Sequence, residues 1–184
     1  MKIVVGLGNP GPEYAQSRHN AGFIFLDEII KKFNITLQFN KKFQANFART
    51  QILQQGQAED LCLLQPLTFM NRSGESLRAF LDYYYPEFFS EDEGNHLLVA
   101  HDDLDLELGS YKLHKGKGPK IHNGLLSLYE QLGHRNFWHI RLGVDSRAGQ
   151  RVIPASEYVL MRMSAYEEKL LRQAATQVIT ELFG

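Results

Sequence analysis

The sequence predicts an α/β fold, a single-domain three-layer sandwich in which helices flank a mostly parallel central sheet. Three observations predict it. Short apolar runs of strand length alternate along the chain with segments whose apolar residues recur at helical spacing. No repeat, low-complexity tract or linker-like stretch divides the 184 residues, so residues 1–184 are expected to form one domain around one core. Polar clusters fall directly after the strand-like runs, where open α/β sheets bind their ligands.

The elements follow in order. KIVVGL (2–7) is an apolar run stopped by Gly and Pro, hence a buried strand. From Asn20 onward, Phe23, Leu26, Ile29, Ile30 and Phe33 keep a helical period. FQANFARTQIL (43–53) and LCLLQ (61–65) are strands, the second buried on both faces. A second helix begins at Ser73 and runs through Leu77, Phe80, Leu81 and Tyr84. HLLVAHD (96–102) is a strand, and LDLELGSYKL (104–113) alternates and then turns. Asn123 to Leu132 is a helix, FWHIRLGV (137–144) a strand, and Ser164 to Leu182 a long closing helix. Asn9, Asn71 and Asp102 thereby fall at or just after strand ends, so distant side chains are expected to converge.

Composition narrows the class. Apolar content of 43% and charged content of 22% are those of an ordinary globular protein. A single cysteine excludes an intramolecular disulfide, and Cys62, inside an apolar run, is expected to be a buried structural thiol. No stretch reaches the roughly 18 apolar residues of a membrane span. The opening MKIVVGLGNPG is broken too early by Gly and Pro for a signal peptide. A soluble cytoplasmic protein with no membrane partner is expected. The net charge is −1, yet its distribution is uneven. Residues 87–107 carry eight acids and no Lys or Arg, whereas residues 112–151 carry eight Lys or Arg against only Glu130 and Asp145. That separation suggests a positive face beside a negative rim.

GLGNPG (6–11) fits the dinucleotide fingerprint G-x-G-x-x-G after a strand. The fingerprint needs its third Gly to open a helix that holds a pyrophosphate. Here Pro12 follows Gly11, PEYAQSRH intervenes before the helical period, and Asp27 and Glu28 lie inside that helix. The match is a decoy. A covalent route lacks a nucleophile as well, since no G-x-S-x-G elbow is present and Cys62 is expected to be buried. What remains is a histidine, an aspartate and several asparagines. Singly, His19 in SRHN, Asp102 in AHDDLD and Asn9 before Pro10 read as ordinary surface or turn residues. Together they fit water-mediated ester hydrolysis. Neutral His19 takes a proton from water, Asp102 holds the other ring N–H, and neutral amides such as Asn71 or Asn123 steady the oxyanion. His101 with the acids at 102, 103 and 105 would be the alternative, a metal cluster. The alternation DLDLEL reads better as an extended segment, no second ligand cluster stands out, and no metal is expected.

These motifs resemble those of the bacterial peptidyl-tRNA hydrolases. The matching segments are VGLGNPGPEYAQSRHNAGF (5–23), QPLTFMNRSGES (65–76), LVAHDDLDLELG (98–109), HNGLLSL (122–128) and FWHIRLGVD (137–145), in the family's order and spacing. The resemblance implies a monomeric α/β globule with a mixed central sheet and no cofactor. It also implies hydrolysis of the ester between a peptide and the 3′ end of tRNA. Position by position, it makes His19 the base and Asp102 its partner. Asn9, Met70 and Asn71 line the cleft for peptide and terminal adenosine, and His122 forms part of its wall. Asn123 positions the attacking water or stabilises the intermediate. Tyr14 and Gly11 occupy the entrance loop, and Lys112 and Arg141 form a basic pair for the 5′ phosphate region of the acceptor stem. Phosphate contacts position an RNA without reading its sequence, so broad use of tRNAs follows.

One segment departs from the family pattern. Where the family has a glycine-rich GGxGGHNG, this chain has HKGKGPKIHNG (114–124), with Lys117, Pro119, Lys120 and Ile121. Pro and β-branched Ile restrict a backbone that Gly would leave free, so either another loop path is expected or the family's glycines are not needed for their backbone freedom. The added lysines would strengthen a grip on RNA, or the altered loop would reshape the acceptor-end channel. The altered loop is also the support for a second reading, a non-catalytic RNA-binding protein that kept the fold. Against it stand the base, its partner and all three asparagines, which a pure binder does not need.

Overall fold

The computed structural model describes residues 1–87, 95–150 and 152–184. Seven strands form one sheet: β1 (Lys2–Gly6), β2 (Gln38–Asn40), β3 (Ala45–Gln54), β4 (Gln57–Pro66), β5 (Leu97–Glu107), β6 (Tyr111–Lys115) and β7 (Trp138–Asp145). Their spatial order is β2-β3-β4-β1-β5-β7-β6. The helices are α1 (Ala21–Phe33), α2 (Ser73–Tyr84), α3 (Asn123–Leu132), a single turn α4 (Ala155–Tyr158) and α5 (Ala165–Phe183).

The sheet is mixed. β4, β1, β5 and β7 run parallel, and β2, β3 and β6 add to them antiparallel. The parallel centre is what the alternation of strands and helices predicted. The antiparallel margins come from hairpin chemistry that the pattern did not display. β3 turns into β4 through Gln55 and Gly56, with φ of 50° and 78°, the paired left-handed conformation of a two-residue hairpin turn. β2 and β6 are short, polar and at the edges, so they lack an apolar run to announce them.

Alternation along the central strands feeds two cores. Val4, Leu61, Leu63 and Leu98 face Phe25 and Ile29 of α1 and Leu171, Ala175 and Val178 of α5. Ile3, Val5, Cys62, Leu64 and Val99 face Leu77 and Phe80 of α2 and Leu125 and Leu128 of α3. The predicted sandwich is therefore present, and Cys62 is buried as expected. Among the described residues no helix is long and apolar enough to cross a membrane.

Two close approaches seat helices against the sheet. A Cβ on Gly22 would lie 2.3 Å from the carbonyl oxygen of Ala100 and from the amide nitrogen of Leu7, so the first turn of α1 rests directly on the end of β1 and on the body of β5. A Cβ on Gly124 would lie 2.5 Å from Sδ of Met70, which brings the start of α3 against the turn Met70–Arg72. Both glycines are needed for contact rather than for turning. The decoy fingerprint also finds its explanation: β1 ends at Gly6, and residues 11–16 form turns before the one-turn 3₁₀ helix Arg18–Asn20 leads into α1. No helix starts at Gly11.

Candidate active site

The site is assembled beyond the carboxyl ends of β1 and β4, beside Asp102 of β5. The pairing of Gly6 with Ala100 leaves Asp102 two residues past the end of β1. His19 stands on the 3₁₀ turn before α1, which Gly22 presses onto the same strand end. Its backbone amide donates to the Val159 carbonyl at 2.8 Å. The adjacent Arg18 locks the turn: it pairs with Glu167, donates to the Met161 carbonyl and lies 4.1 Å over the Tyr158 ring. Glu167 belongs to the capping box of α5 and also accepts from Ser146. Burial pushes its carboxyl up, but hydrogen bonds from Ser146 and Ser164 and the Arg18 charge prevail and bring it down to about 2.

His19 Nδ1 lies 2.7 Å from Oδ1 of Asp102, and His122 Nε2 lies 3.0 Å from the same oxygen. All three residues are buried, at 8%, 3% and 5% exposure. The two imidazole rings are 4.9 Å apart and tilted by 45°. The partners fix the tautomers. His122 is the N-cap of α3, and its Nδ1 accepts the Leu125 amide at 3.3 Å, so its proton sits on Nε2 and is donated to Asp102. His19 donates its Nδ1 proton to the carboxylate and is left with a bare Nε2. Burial by itself would raise the Asp102 pKa, but the charge and hydrogen bonds of His19 and His122 outweigh it and hold the carboxylate ionised far below its usual range. For His19, burial favours the neutral ring. Asp102 more than offsets this, so its pKa stands above 6.5.

The asparagines fall around this pair. Asn9 is buried, and its Oδ1 accepts the Met70 amide at 2.8 Å, which aims the amide nitrogen away from the turn. Asn20, which sequence reasoning passed over, clasps Asn9 from the other side. Its Oδ1 accepts the Asn9 amide at 2.8 Å, and its Nδ2 donates to the Asn9 carbonyl at 3.0 Å. Met70 is buried beneath Gly124, whereas Asn71 and Asn123 are exposed, on the turn after β4 and on the first residue of α3. Tyr14 is half-buried in the turns at residues 11–16 and Gly11 is exposed there.

Lys112 and Arg141 are cross-strand partners on β6 and β7, but their states differ. Lys112 is exposed, while Arg141 is 7% exposed. The Arg141 Nε donates to Asp103 at 2.7 Å, and one terminal nitrogen lies 3.4 Å from Nδ1 of His114. Asp103 is fully buried, so this guanidinium is first of all its counter-ion. The acids at 91, 92 and 93 and Arg151, part of the uneven charge pattern, lie outside the described residues.

Behind Asp102 stands a second histidine pair. His101 Nδ1 donates to the Asp102 carbonyl at 3.0 Å, and its Nε2 faces Nδ1 of His139 at 3.2 Å. Burial, with the His122 ring close by, drives the His101 pKa well below 6.5. Burial and the Arg141 charge bring His139 down to about 4. Both are neutral spacers, and AHDD does not reveal that from sequence. Nor are they metal ligands. Among the described residues the group with ligand atoms within 4.8 Å of one another is His19, Asp102 and His122. Its nearest nitrogens carry the protons that bond to Asp102, and His122 cannot change tautomer without breaking the cap of α3. The set is built as a hydrogen-bond clamp.

The geometry pairs an imidazole with a buried carboxylate through Nδ1 and leaves its Nε2 without a hydrogen-bond partner among the described residues, an arrangement that can take a proton from water. The family model described as peptidyl-tRNA hydrolase matches residues 3–183. A curated peptidyl-tRNA hydrolase from Neisseria meningitidis is 38% identical over 177 residues, covering 96% of this chain and 86% of the relative. One from Bacillus cytotoxicus is 41% identical over 171 residues, covering 91% of this chain and 83% of the relative. A crystal structure of peptidyl-tRNA hydrolase from Acinetobacter baumannii superposes with a TM-score of 0.82 at 36% identity, covering 99% of this chain and 86% of that one.

Proposed function

Because the chain belongs to the peptidyl-tRNA hydrolase family, and is thereby an enzyme that hydrolyses peptidyl-tRNA, we propose that it does so with water activated by His19. The observation that carries this reading is the 2.7 Å contact between His19 and a buried carboxylate, which commits Nδ1 as donor and leaves Nε2 to act. In the proposed reaction Nε2 takes a proton from water as the oxygen attacks the ester carbonyl carbon. Asp102 supports the imidazolium that forms. Amide donors from Asn71, Asn123 or Asn9 face the negative charge on the carbonyl oxygen, each contributing about 10²–10³ in rate. The C–O bond to the ribose then breaks, and the departing oxygen recovers the proton from His19. The products are a free peptide and tRNA with an intact 3′ hydroxyl. His122 and Asn20 are positioning residues, the first through Asp102 and the second through Asn9. A monomer working in the cytoplasm, where translation supplies the substrate, belongs to the same reading.

The test compares wild type with His19→Ala on a defined N-blocked aminoacyl-tRNA. Release by the wild type and a drop of about 10²–10⁴-fold in kcat for the variant are expected. Equal release by both would remove His19 from the reaction, and tRNA binding without release by either would favour the non-catalytic alternative. The pH profile supplies a second readout. The active form of His19 is the unprotonated one, so kcat/KM rises with pH, and the raised pKa puts the midpoint of that rise above 6.5.

A further inference from the structure

We infer that Lys117 and Lys120, together with Lys112, form the phosphate-binding track for the unpaired 3′ end of the tRNA, and that Arg141 is not part of that track. The inference rests on the proposed function and adds its anchoring residues. The basic side chains from β6 to just past β7 divide into those that are tied down and those that are not. Arg141 is buried on Asp103. Lys115 is hydrogen-bonded to Asn95. Arg135 lies 4.6 Å over the Tyr129 ring. Arg147 is tied to Asp145 and lies 4.4 Å over Tyr158. Lys112, Lys117 and Lys120 have no such partner among the described residues, and all three are exposed.

Their placement gives the free charges a direction. Lys112 is on the edge strand β6, and Lys117 and Lys120 follow on the segment that leads from that strand to the N-terminus of α3. Lys120 is two residues from His122, which touches Asp102. At about 3.5 Å of chain per residue, its Cα is within about 7 Å of that of His122. The segment is also seated. Gly118 packs so closely on His139 and Leu125 that a Cβ there would lie 3.0 Å from each, which ties the loop to the floor behind the catalytic clamp. The three charges therefore run from the sheet edge toward the ester-cleaving pair. The phosphates nearest the scissile ester are those of the unpaired 3′ end. An ammonium on a flexible stem suits such a strand, because it needs no fixed bidentate geometry.

The experiment measures the salt dependence of tRNA binding for wild type and for the double variant Lys117→Gln/Lys120→Gln. Each lost contact to a single-stranded phosphate should reduce the slope of log K against log salt by about 0.7, so the double variant should lose about 1.4 and show a raised KM with little change in kcat. The charge control Lys31→Gln/Lys169→Gln alters the groove between α1 and α5 and should keep the wild-type slope. An unchanged slope and KM in the Lys117/Lys120 variant, with melting temperature preserved, would overturn the inference. So would an equal loss in the control, which would reduce the effect to net charge. The slope is read on tRNA itself and the wild-type enzyme is assayed for ester cleavage in parallel. Failure of the catalytic reading therefore appears as missing cleavage and is separate from failure of the track.

Discussion

At the scale of single residues, one carboxylate oxygen organises the centre. Asp102 receives two imidazole N–H groups on the same atom, and each imidazole is fixed by a second contact: His19 through its backbone amide, His122 through the cap of α3. Asp102→Asn keeps the shape but offers an amide where an acceptor is needed, so His19 loses the tautomer that exposes Nε2. A fall of about 10²–10⁴-fold in kcat with KM little changed is expected from steady-state kinetics. A proportionate rise in KM instead would mean that the residue serves binding. Asn9 and Asn71 were legible in the sequence as polar residues just after strands; Asp102 was legible by its type, but it lies inside β5, which continues to Glu107 instead of ending at 102, and His19 stands on the turn before α1. Their second contacts were not. Asn20 lies at the start of an apolar helical stretch and shows nothing of its clasp on Asn9, and the ion pair of Asp103 with Arg141 joins residues 38 apart that meet only once β5 and β7 pair.

At the scale of elements, the site depends on how tightly α1 is seated. Gly22 meets backbone atoms rather than flexible side chains, so Gly22→Ala cannot be absorbed by a rotamer change. The variant should be destabilised by about 1–3 kcal/mol or more by denaturant titration, and should lose activity beyond its loss of folded protein because the His19 turn moves with the helix. Full activity per folded molecule would show that the turn is held by Arg18 and Val159 alone. The main helices and central strands were legible because their apolar periods are long. The edge strands β2 and β6 were not, being short and polar, and the β3–β4 hairpin turns on Gln55, which advertises no left-handed conformation. The capping box of Ser164 and Glu167 follows the S-x-x-E pattern, but its further use in holding Arg18 is a product of folding.

At the scale of the whole molecule, the buried histidines set an acid limit. His101 and His139 are neutral in the folded state with lowered pKa values, so they bind protons more readily when unfolded. Their stabilising contribution is complete above the unfolded value near 6.5 and is lost as pH falls from there toward about 4, the value for His139. Calorimetric melting temperatures should therefore drop between pH 6.5 and 4, before the Asp102 carboxylate is protonated, and His139→Gln should flatten part of that drop. An unchanged slope in the variant would place the acid sensitivity elsewhere. The two cores carry a further consequence. One face of the sheet is covered in large part by α5, and Lys2 at the start of β1 donates to the Leu182 carbonyl at 3.0 Å. A nascent copy of this chain leaves the part of that face not covered by α1 exposed until α5 clears the ribosome. The core on this side of the sheet is thus completed last, when residues 165–183 close over strands laid down at the start of synthesis.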